Sequence, residues 1–322
     1  MISKTKKAAI WAEQVGSVTI TVSDMDKSVK FYTGILPFRE SRRFTIDKKT
    51  AAALYGTGMD SSTVTIAELI LGKEHIYLQE FVNIEGRTIP SDSKSNDLWF
   101  QHIAIVVRDM EQVYENLRNN RVTHVSTFPQ TLPETIPAAA GIKAFYFRDL
   151  NGHNLELIWF PDDIGDPRWH GNSSELYLGI DHTAIAVSNT NHQKEFYEEL
   201  LGLEVVGNSE NFGTEQEHLN QVFGARLDIT GLRAKSGIGI EFLEYITPPG
   251  GRPFPPSSKP TDLWHWHSTI VVKNVETVYR TALGRYDIIS NKIVNLESTQ
   301  LPYSLGFMLR DADGHAVLVV QK

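Results

Sequence analysis

Histidine and glutamate side chains recur at matching places along this chain. Short strands of alternating polarity are predicted at four places, and three of them open with a histidine: His102, His182 and His267. Glu156 and Glu241 lie on later predicted strands. Imidazole nitrogens and carboxylate oxygens together suit Fe, Mn, Co, Ni or Zn. Because strand side chains alternate between two faces, such residues can point into one cavity.

A single histidine that opens a strand is more often a half-buried, hydrogen-bonded residue than a metal ligand. Matching positions in repeated segments make metal binding the better interpretation of these histidines. Segments 16–39 and 181–204 are similar in sequence, and so are 97–117 and 262–282, at an offset of about 165 residues. Self-similarity at a fixed offset marks an internally repeated architecture.

Each repeated copy predicts the same order of elements. An alternating strand is followed by a Ser, Asp or Asn residue that can cap a helix, then by the helix and further strands. The pattern is βαβββ, four times. The four modules span about 15–83, 97–160, 179–247 and 262–322. Tight hairpin turns with the sequence Asp-x-x-Gly are predicted at 149–152 and 311–314.

Length and composition limit the class of protein. The 322 residues suit two domains, which we place at 1–165 and 175–322. A net charge of −8 argues against nucleic acid or an anionic membrane as partner. The absence of cysteine excludes disulfides and thiolate chemistry. The segment after Lys4, Lys6 and Lys7 is too short and polar for a secretory signal, so we expect a cytoplasmic protein.

Several motifs resemble the vicinal oxygen chelate superfamily, which includes glyoxalase I, methylmalonyl-CoA epimerase, bleomycin resistance proteins and extradiol dioxygenases. They are His-x-x-Ile-x-Val from 182, Phe-Tyr followed by Leu-Gly-Leu at 196–203, Ile-Glu-Phe-Leu-Glu-Tyr at 240–245, and Arg-Asp-x-x-Gly-His-x-x-Glu at 148–156. The likeness covers Val15 to Lys322, and the stretches 211–220 and 252–255 resemble two-domain, four-module, glyoxalase-like members. It implies an α+β fold in which four βαβββ modules form two cup-shaped incomplete barrels.

The resemblance also implies a metal site. In that superfamily two modules form one cup, and each supplies up to two ligands: the first residue of its opening strand and a Glu on its last strand. The matching positions here are Ser17 with Ile76 or Tyr77 in module one, His102 with Glu156 in module two, His182 with Glu241 in module three, and His267 with Leu318 in module four.

Two pairings of the modules give different sites. Pairing in chain order places His182, Glu241 and His267 in one cup. Pairing two with three places His102, Glu156, His182 and Glu241 together and leaves the other cup nearly without ligands. We favour the second pairing, because it leaves one complete site and one decayed site.

The resemblance implies one divalent ion and a small-molecule substrate with two neighbouring oxygens. The first hypothesis is an isomerase or lyase of the glyoxalase/epimerase type, in which Glu156 or Glu241 acts as the base. The second is an Fe(II)-dependent extradiol-type dioxygenase, against which Leu318 counts, since such enzymes take a carboxylate there. The third is a non-catalytic binding protein. The protein is expected to be a monomer or homodimer.

Four further residues are weaker predictions for the substrate pocket. Phe100 and His265 alternate with His102 and His267 on their strands. Glu215 and His218 lie in 214–220, where Thr214 and Glu217 fit a capping box that opens a helix.

Overall fold

The computed structural model describes residues 12–56 and 62–322. The lysine-containing segment for which we expected no secretory signal lies outside the described residues. No helix in the described ranges is long and apolar enough to cross a membrane.

The first two modules, together with the linker after them, occupy the N-terminal half. Their elements are β1 (Ala12–Thr21), α1 (Met25–Gly34), β2 (Arg39–Ile46), α2 (Lys48–Tyr55), β3 (Val64–Leu71), β4 (Glu74–Phe81), β5 (Gln101–Val107), α3 (Met110–Asn119), β6 (Thr123–His124), β7 (Gln130–Thr131), β8 (Lys143–Arg148) and β9 (Asn154–Trp159). A 3₁₀ turn at Pro167–His170 lies in the linker to the second half.

The third and fourth modules form the C-terminal half. Their elements are β10 (Tyr177–Val187), α4 (Thr190–Lys194), β11 (Glu204–Phe212), α5 (Thr214–Asn220), β12 (Arg226–Arg233), β13 (Gly239–Thr247), β14 (Trp266–Val272), α6 (Val275–Ala282), β15 (Asp287–Ile288), β16 (Val294–Asn295), β17 (Leu305–Arg310) and β18 (Ala316–Gln321). Helix α4 continues as a π-helical segment over Glu195–Leu200.

Each module helix begins at a polar capping residue, as the sequence predicted. Asp24, Asp109, Asn189 and Asn274 each accept a hydrogen bond from the backbone N–H three residues later. This bond satisfies one of the free N–H groups of a first helical turn. The four repeated helix starts are therefore fixed by local chemistry.

The modules also depart from a uniform βαβββ pattern. Modules one and three carry an extra helix between their second and third strands, whereas modules two and four carry two short strands between the helix and their last two strands. The capping box predicted at Thr214 and Glu217 is wrong. Helix α5 has Gly213 at its N-cap and no side-chain capping bond, so Thr214 is already helical.

Two nine-stranded sheets form, and each takes strands from both halves of the chain. The first has the order β15-β17-β18-β14-β1-β4-β3-β2, with β16 on β17, and the second has β11-β12-β13-β10-β5-β9-β8-β6, with β7 on β8. Strand β1 pairs with β14, and β10 pairs with β5, both antiparallel. Module one therefore pairs with module four, and module two with module three. Both sheets are open cups, which confirms the predicted α+β class.

One large apolar core connects the four modules. Val18, Ile105, Ile185 and Ile270, one from each opening strand, all belong to it. Separate clusters lie on the other faces of the sheets: Tyr77 and Leu318 belong to the one in the first sheet, and Phe100 and Tyr146 to the one in the second. We call these enclosed faces the first cup and the second cup.

The two predicted hairpin turns join β8 to β9 and β17 to β18. Histidines close both turns: the Nδ1 atom of His153 lies 2.8 Å from Oδ2 of Asp149, and that of His315 lies 2.9 Å from Oδ2 of Asp311. Each aspartate also accepts backbone N–H bonds from its own turn. These histidines therefore stabilise the turns that place the last strand of modules two and four.

Candidate metal centre

The pairing of strands brings four candidate ligands to one face of the second sheet. His102 on β5 lies opposite Ala184 on β10, and Ala184 lies beside Glu241 on β13. Cross-strand partners point to the same face of a sheet, and so do residues two apart on one strand. His182, two residues before Ala184, therefore points to the same face as His102 and Glu241.

Glu156 reaches the same face through the neighbouring strand. It is paired with Ala104, two residues after His102, in the parallel register of β5 and β9. The small side chains of Ala104 and Ala184 separate the four larger ones. Backbone register alone therefore points two imidazoles and two carboxylates into the second cup.

The side chains converge on one point. Nε2 of His102 lies 3.1 Å from Oε2 of Glu156, and Nε2 of His182 lies 3.6 Å from Oε2 of Glu156 and 3.6 Å from Oε2 of Glu241. Ligand atoms of His102, Glu156 and His182 all lie within 4.8 Å of one another. Atoms bound to one ion at about 2.1 Å are separated by about 3.0–3.5 Å. The spacing therefore fits a shared first-row metal ion.

The histidine nitrogens lack other partners. Nε2 of His182 and both ring nitrogens of His102 are buried and form no hydrogen bond with any residue in the described ranges. The 3.1 Å approach of His102 to Glu156 lacks hydrogen-bond geometry. Buried polar atoms are nearly always satisfied. Unsatisfied imidazole nitrogens that face carboxylates are the donor set expected of a metal centre.

Charge in the second cup favours a cation. Burial raises the pKa of the Glu241 carboxyl. Burial alone would lower the pKa of His182, but Glu241, Asp181 and Glu156 outweigh it and raise that pKa to about 9. Carboxylates that stabilise a proton on His182 stabilise a metal ion at the same place.

A cavity of about 240 Å³ opens onto these residues. His182, Glu241, Asn208 and Ser209 are among the side chains that line it. The side chain of Glu241 is 27% exposed, whereas that of Glu156 is 6% exposed. Glu241 therefore borders the open space, and Glu156 lies beneath it.

The weaker pocket predictions have different positions. Phe100 is buried beside the site, with its ring centre 5.6 Å from that of His102. Glu215 is half-buried and His218 exposed on α5, and neither lines this cavity among the described residues. His265 lies just before β14 and is buried, its ring centre is 5.8 Å from that of His267, and its Nε2 has no partner among the described residues.

The first cup does not reproduce the ligand set. His267 lies there next to Tyr55, with ring centres 6.3 Å apart, and not with His182 and Glu241. Burial lowers its pKa to about 3. The chain-order pairing, which would have joined His267 to His182, is therefore absent from the structure.

Two neighbours of the site were missed by sequence reasoning. Tyr146 pairs with Glu156 across the β8–β9 hairpin, and its ring centre lies 4.9 Å from that of His102. Counting back from the predicted hairpin turn would have found it. Asp181 precedes His182, and its Oδ2 lies 3.0 Å from Nδ1 of His182. No pattern in the sequence marks that contact.

Comparison with known proteins agrees with this fold. The family model of the Glyoxalase/Bleomycin resistance protein/Dioxygenase superfamily matches residues 14–157 and 179–318. No curated protein matches the sequence. Among solved structures, glyoxalase I from Zea mays is similar at 16% identity and a TM-score of 0.58, covering 95% of this chain and 91% of that one.

A putative dioxygenase from Bacillus subtilis subsp. subtilis str. 168 is similar at 14% identity and a TM-score of 0.59, covering 97% of this chain and 86% of that one. At these identities the likeness concerns the fold alone. The match of the family model to both halves confirms the resemblance predicted from the sequence motifs. The chain belongs to the Glyoxalase/Bleomycin resistance protein/Dioxygenase superfamily.

Proposed function

We propose that this protein is a metal-dependent enzyme of the glyoxalase/epimerase type, an isomerase or lyase that moves a proton next to a substrate carbonyl. His102, Glu156, His182 and Glu241 would hold one divalent ion, Ni, Co, Zn, Mn or Fe. The observation that carries the proposal is the convergence of unpartnered imidazole nitrogens on two carboxylates inside a buried cup.

A bound divalent ion supplies Lewis-acid stabilisation of negative charge on two neighbouring substrate oxygens. The protein supplies the base. Glu241 is the better positioned carboxylate, because it borders the cavity. Its carboxylate would therefore be the proton acceptor that faces a substrate in the cavity. Glu156, more deeply buried, is the second candidate.

The lining of the cavity favours a small substrate without an anionic group. A volume of about 240 Å³ is below the usual range for a drug-sized ligand, about 300–1,000 Å³. Among the described lining residues, the one Arg or Lys is Arg233, and its guanidinium is paired with Asp181 at 2.8 Å. A phosphate or carboxylate on the substrate would therefore find no unpaired Arg or Lys side chain among these lining residues.

A dioxygenase is the second candidate. Its supporting observation is that the tightest group in the second cup, His102, Glu156 and His182, is two histidines and one carboxylate. That donor set is typical of non-haem Fe(II) oxygenases with open positions. In this alternative Glu241 is not a ligand and remains free at the cavity.

The first experiment combines metal analysis with a proton-exchange assay. Metal content is measured in the wild type, Glu241→Gln and Glu68→Gln, the last a buried carboxylate of the first sheet. Uncharged 2-hydroxy ketones and 2-oxo aldehydes are then incubated with Co²⁺-loaded protein in D₂O and followed by NMR. We expect metal-dependent deuterium incorporation in the wild type and Glu68→Gln, and about a 10²–10⁴-fold loss in Glu241→Gln.

Two results would overturn the proposal, and a third would reassign the base. Oxygen uptake with ring cleavage of a catechol by the Fe²⁺ form would favour the dioxygenase. Absence of metal from every sample, even after reconstitution, would favour a binding protein. Equal exchange by the wild type and Glu241→Gln would remove Glu241 as the base.

The substrate class has its own test. Acetohydroxamate and phosphoglycolohydroxamate share a metal-binding pair of oxygens, and the second carries a phosphate. Each is titrated into the Co²⁺ protein while the visible absorption of the ion is recorded. We expect acetohydroxamate to bind at least 10-fold more tightly. Tighter binding of the phosphorylated compound would contradict a cavity without an unpaired Arg or Lys side chain.

A further inference from the structure

The side chain of Asp181 contacts that of its neighbour, the candidate ligand His182, which adjacent residues of a regular strand do not do. Consecutive side chains of a regular strand point to opposite faces. The β10–β5 register shifts between Ile180 and Thr183, which interrupts the regular alternation. Oδ2 of Asp181 consequently lies 3.0 Å from Nδ1 of His182, and the aspartate side chain is 8% exposed.

The carboxylate of Asp181 is itself held on both oxygens. The indole N–H of Trp169 donates to Oδ1 at 2.9 Å. Arg233 donates through Nη2 to Oδ2 at 2.8 Å and through Nη1 to the backbone carbonyl of Asp181 at 2.9 Å. Both oxygens of Asp181 are therefore held in place, which fixes the carboxylate as a hydrogen-bond acceptor for its neighbour.

Contacts from the first sheet, made through Arg168, hold Trp169 in place. Its linker neighbour Arg168 lies 3.8 Å from the indole ring centre and donates through Nη1 to Oε1 of Glu74 at 2.6 Å. The other oxygen of Glu74 accepts the backbone N–H of Ile180, next to Asp181, at 3.2 Å. A side chain at Gly179 would collide with the Glu74 carboxylate. These contacts join β4 of the first sheet to β10, the strand that carries His182.

We propose that Asp181 is the positioning residue of the metal centre, an inference that rests on the proposed function. By accepting the Nδ1–H of His182, Asp181 keeps the Nε2 atom directed toward Glu156 and Glu241. Nδ1 of His102 forms no such bond with any described residue. His182 is therefore the ligand whose ring orientation is fixed before an ion arrives.

Co²⁺ titration of the full-length protein tests this role. The variants are Asp181→Asn, Asp181→Glu and Asp311→Asn. Asp311 is a matched control because it is also buried and bonds Nδ1 of a histidine at 2.9 Å, but in a hairpin of the first sheet. We expect the dissociation constant for Co²⁺ to rise about 10–100-fold in Asp181→Asn. We expect it to stay at the wild-type value in Asp311→Asn and to recover partly in Asp181→Glu.

A spectroscopic readout separates positioning from simple loss of stability. In the Co²⁺ protein, the Nδ1–H of a coordinated histidine gives a paramagnetically shifted, exchangeable proton signal. The His182 signal, identified by its absence in His182→Gln, should persist in the wild type and Asp311→Asn. It should be lost or broadened by exchange in Asp181→Asn, because an amide cannot hold that proton as a carboxylate does.

The outcomes distinguish the two proposals. A wild type that binds no Co²⁺ would overturn the proposed function and this inference with it. A wild type that binds Co²⁺ beside an Asp181→Asn variant of equal affinity would overturn the positioning role alone. Equal losses of affinity in Asp181→Asn and Asp311→Asn would assign the effect to stability and would also overturn it.

Discussion

Tyr77 occupies the position in the first sheet that Glu241 occupies in the second. Tyr77 on β4 is the register partner of Thr19, two residues after Ser17, and Glu241 on β13 is the partner of Ala184, two residues after His182. The hydroxyl of Tyr77 donates to Glu68 at 2.9 Å. The first cup therefore places an internally hydrogen-bonded hydroxyl where the second cup presents a carboxylate.

This contact predicts a loss of stability without a loss of metal. Tyr77→Phe should lower the free energy of unfolding by about 1–2 kcal/mol, because the buried Glu68 carboxylate loses one of its donors. Urea denaturation measures the change. A double-mutant cycle with Glu68→Gln should give a coupling energy of about 1 kcal/mol. A coupling energy near zero would mean that the hydrogen bond contributes nothing.

Two of the three repeated histidines predict opposite effects on metal binding. His102 and His267 occupy equivalent positions of the repeat and are 1% and 2% exposed. His102→Gln should weaken Co²⁺ binding at least 10-fold, since it removes a candidate ligand. His267→Gln should leave the dissociation constant unchanged. Isothermal titration calorimetry makes the comparison, and the opposite pattern would move the metal centre to the first cup.

His267 also predicts a dependence of stability on pH. Burial lowers its pKa to about 3 in the folded protein, against about 6.5 in an unfolded chain. Between these values the unfolded state binds more protons, so the free energy of unfolding falls as the pH falls. This side chain should contribute a loss of about 2 kcal/mol between pH 7 and pH 5.

The variant His267→Gln isolates that contribution from those of the other histidines. The free energy of unfolding of the wild type should fall more steeply between pH 7 and pH 5 than that of the variant, by about 2 kcal/mol. Denaturation at both pH values gives the difference. Parallel curves would show that His267 is protonated in the folded protein as readily as in the unfolded one.

A pair of arginines predicts equal effects at two related contacts. Arg87 follows module one and bonds the buried Asp262 of module four at 2.6 Å, and Arg252 follows module three and bonds the buried Asp97 of module two at 2.7 Å. Arg87→Ala and Arg252→Ala should each lower the free energy of unfolding by about 1–3 kcal/mol, because each leaves a buried carboxylate without its main donor.

Urea denaturation of both single variants and the double variant checks this symmetry. The arginines also cover Trp264 and Trp99, whose ring centres lie 6.4 Å apart where the two repeats meet. We expect the two single changes to agree within about 0.5 kcal/mol and to add in the double variant. A large effect of one and none of the other would contradict equivalent contacts.

Local features of the fold could be predicted from the sequence alone. The helix starts at Asp24, Asp109, Asn189 and Asn274 follow from side chains that bond N–H groups three residues away. The β8–β9 and β17–β18 hairpins follow from their turn residues. The repeat placed histidines and glutamates at equivalent positions without reference to any distant contact.

The tertiary structure decided which of those positions meet. Nothing local distinguishes pairing of β5 with β10 from pairing with β1, because all four opening strands carry the same alternation. Whether Ile76 or Tyr77 matches Glu241 depended on the register of β4, which a single-residue shift would reverse.

The contacts that hold Asp181 against His182 likewise depend on the tertiary structure. Asp181, Trp169 and Arg233 come from a strand, a linker and another strand, and their convergence requires the irregular register of β10. Sequence determined the chemistry of each module, since caps, turns and alternation act over a few residues. Only the packed sheets decided which modules share a cup, because that choice depends on contacts between residues far apart in the chain.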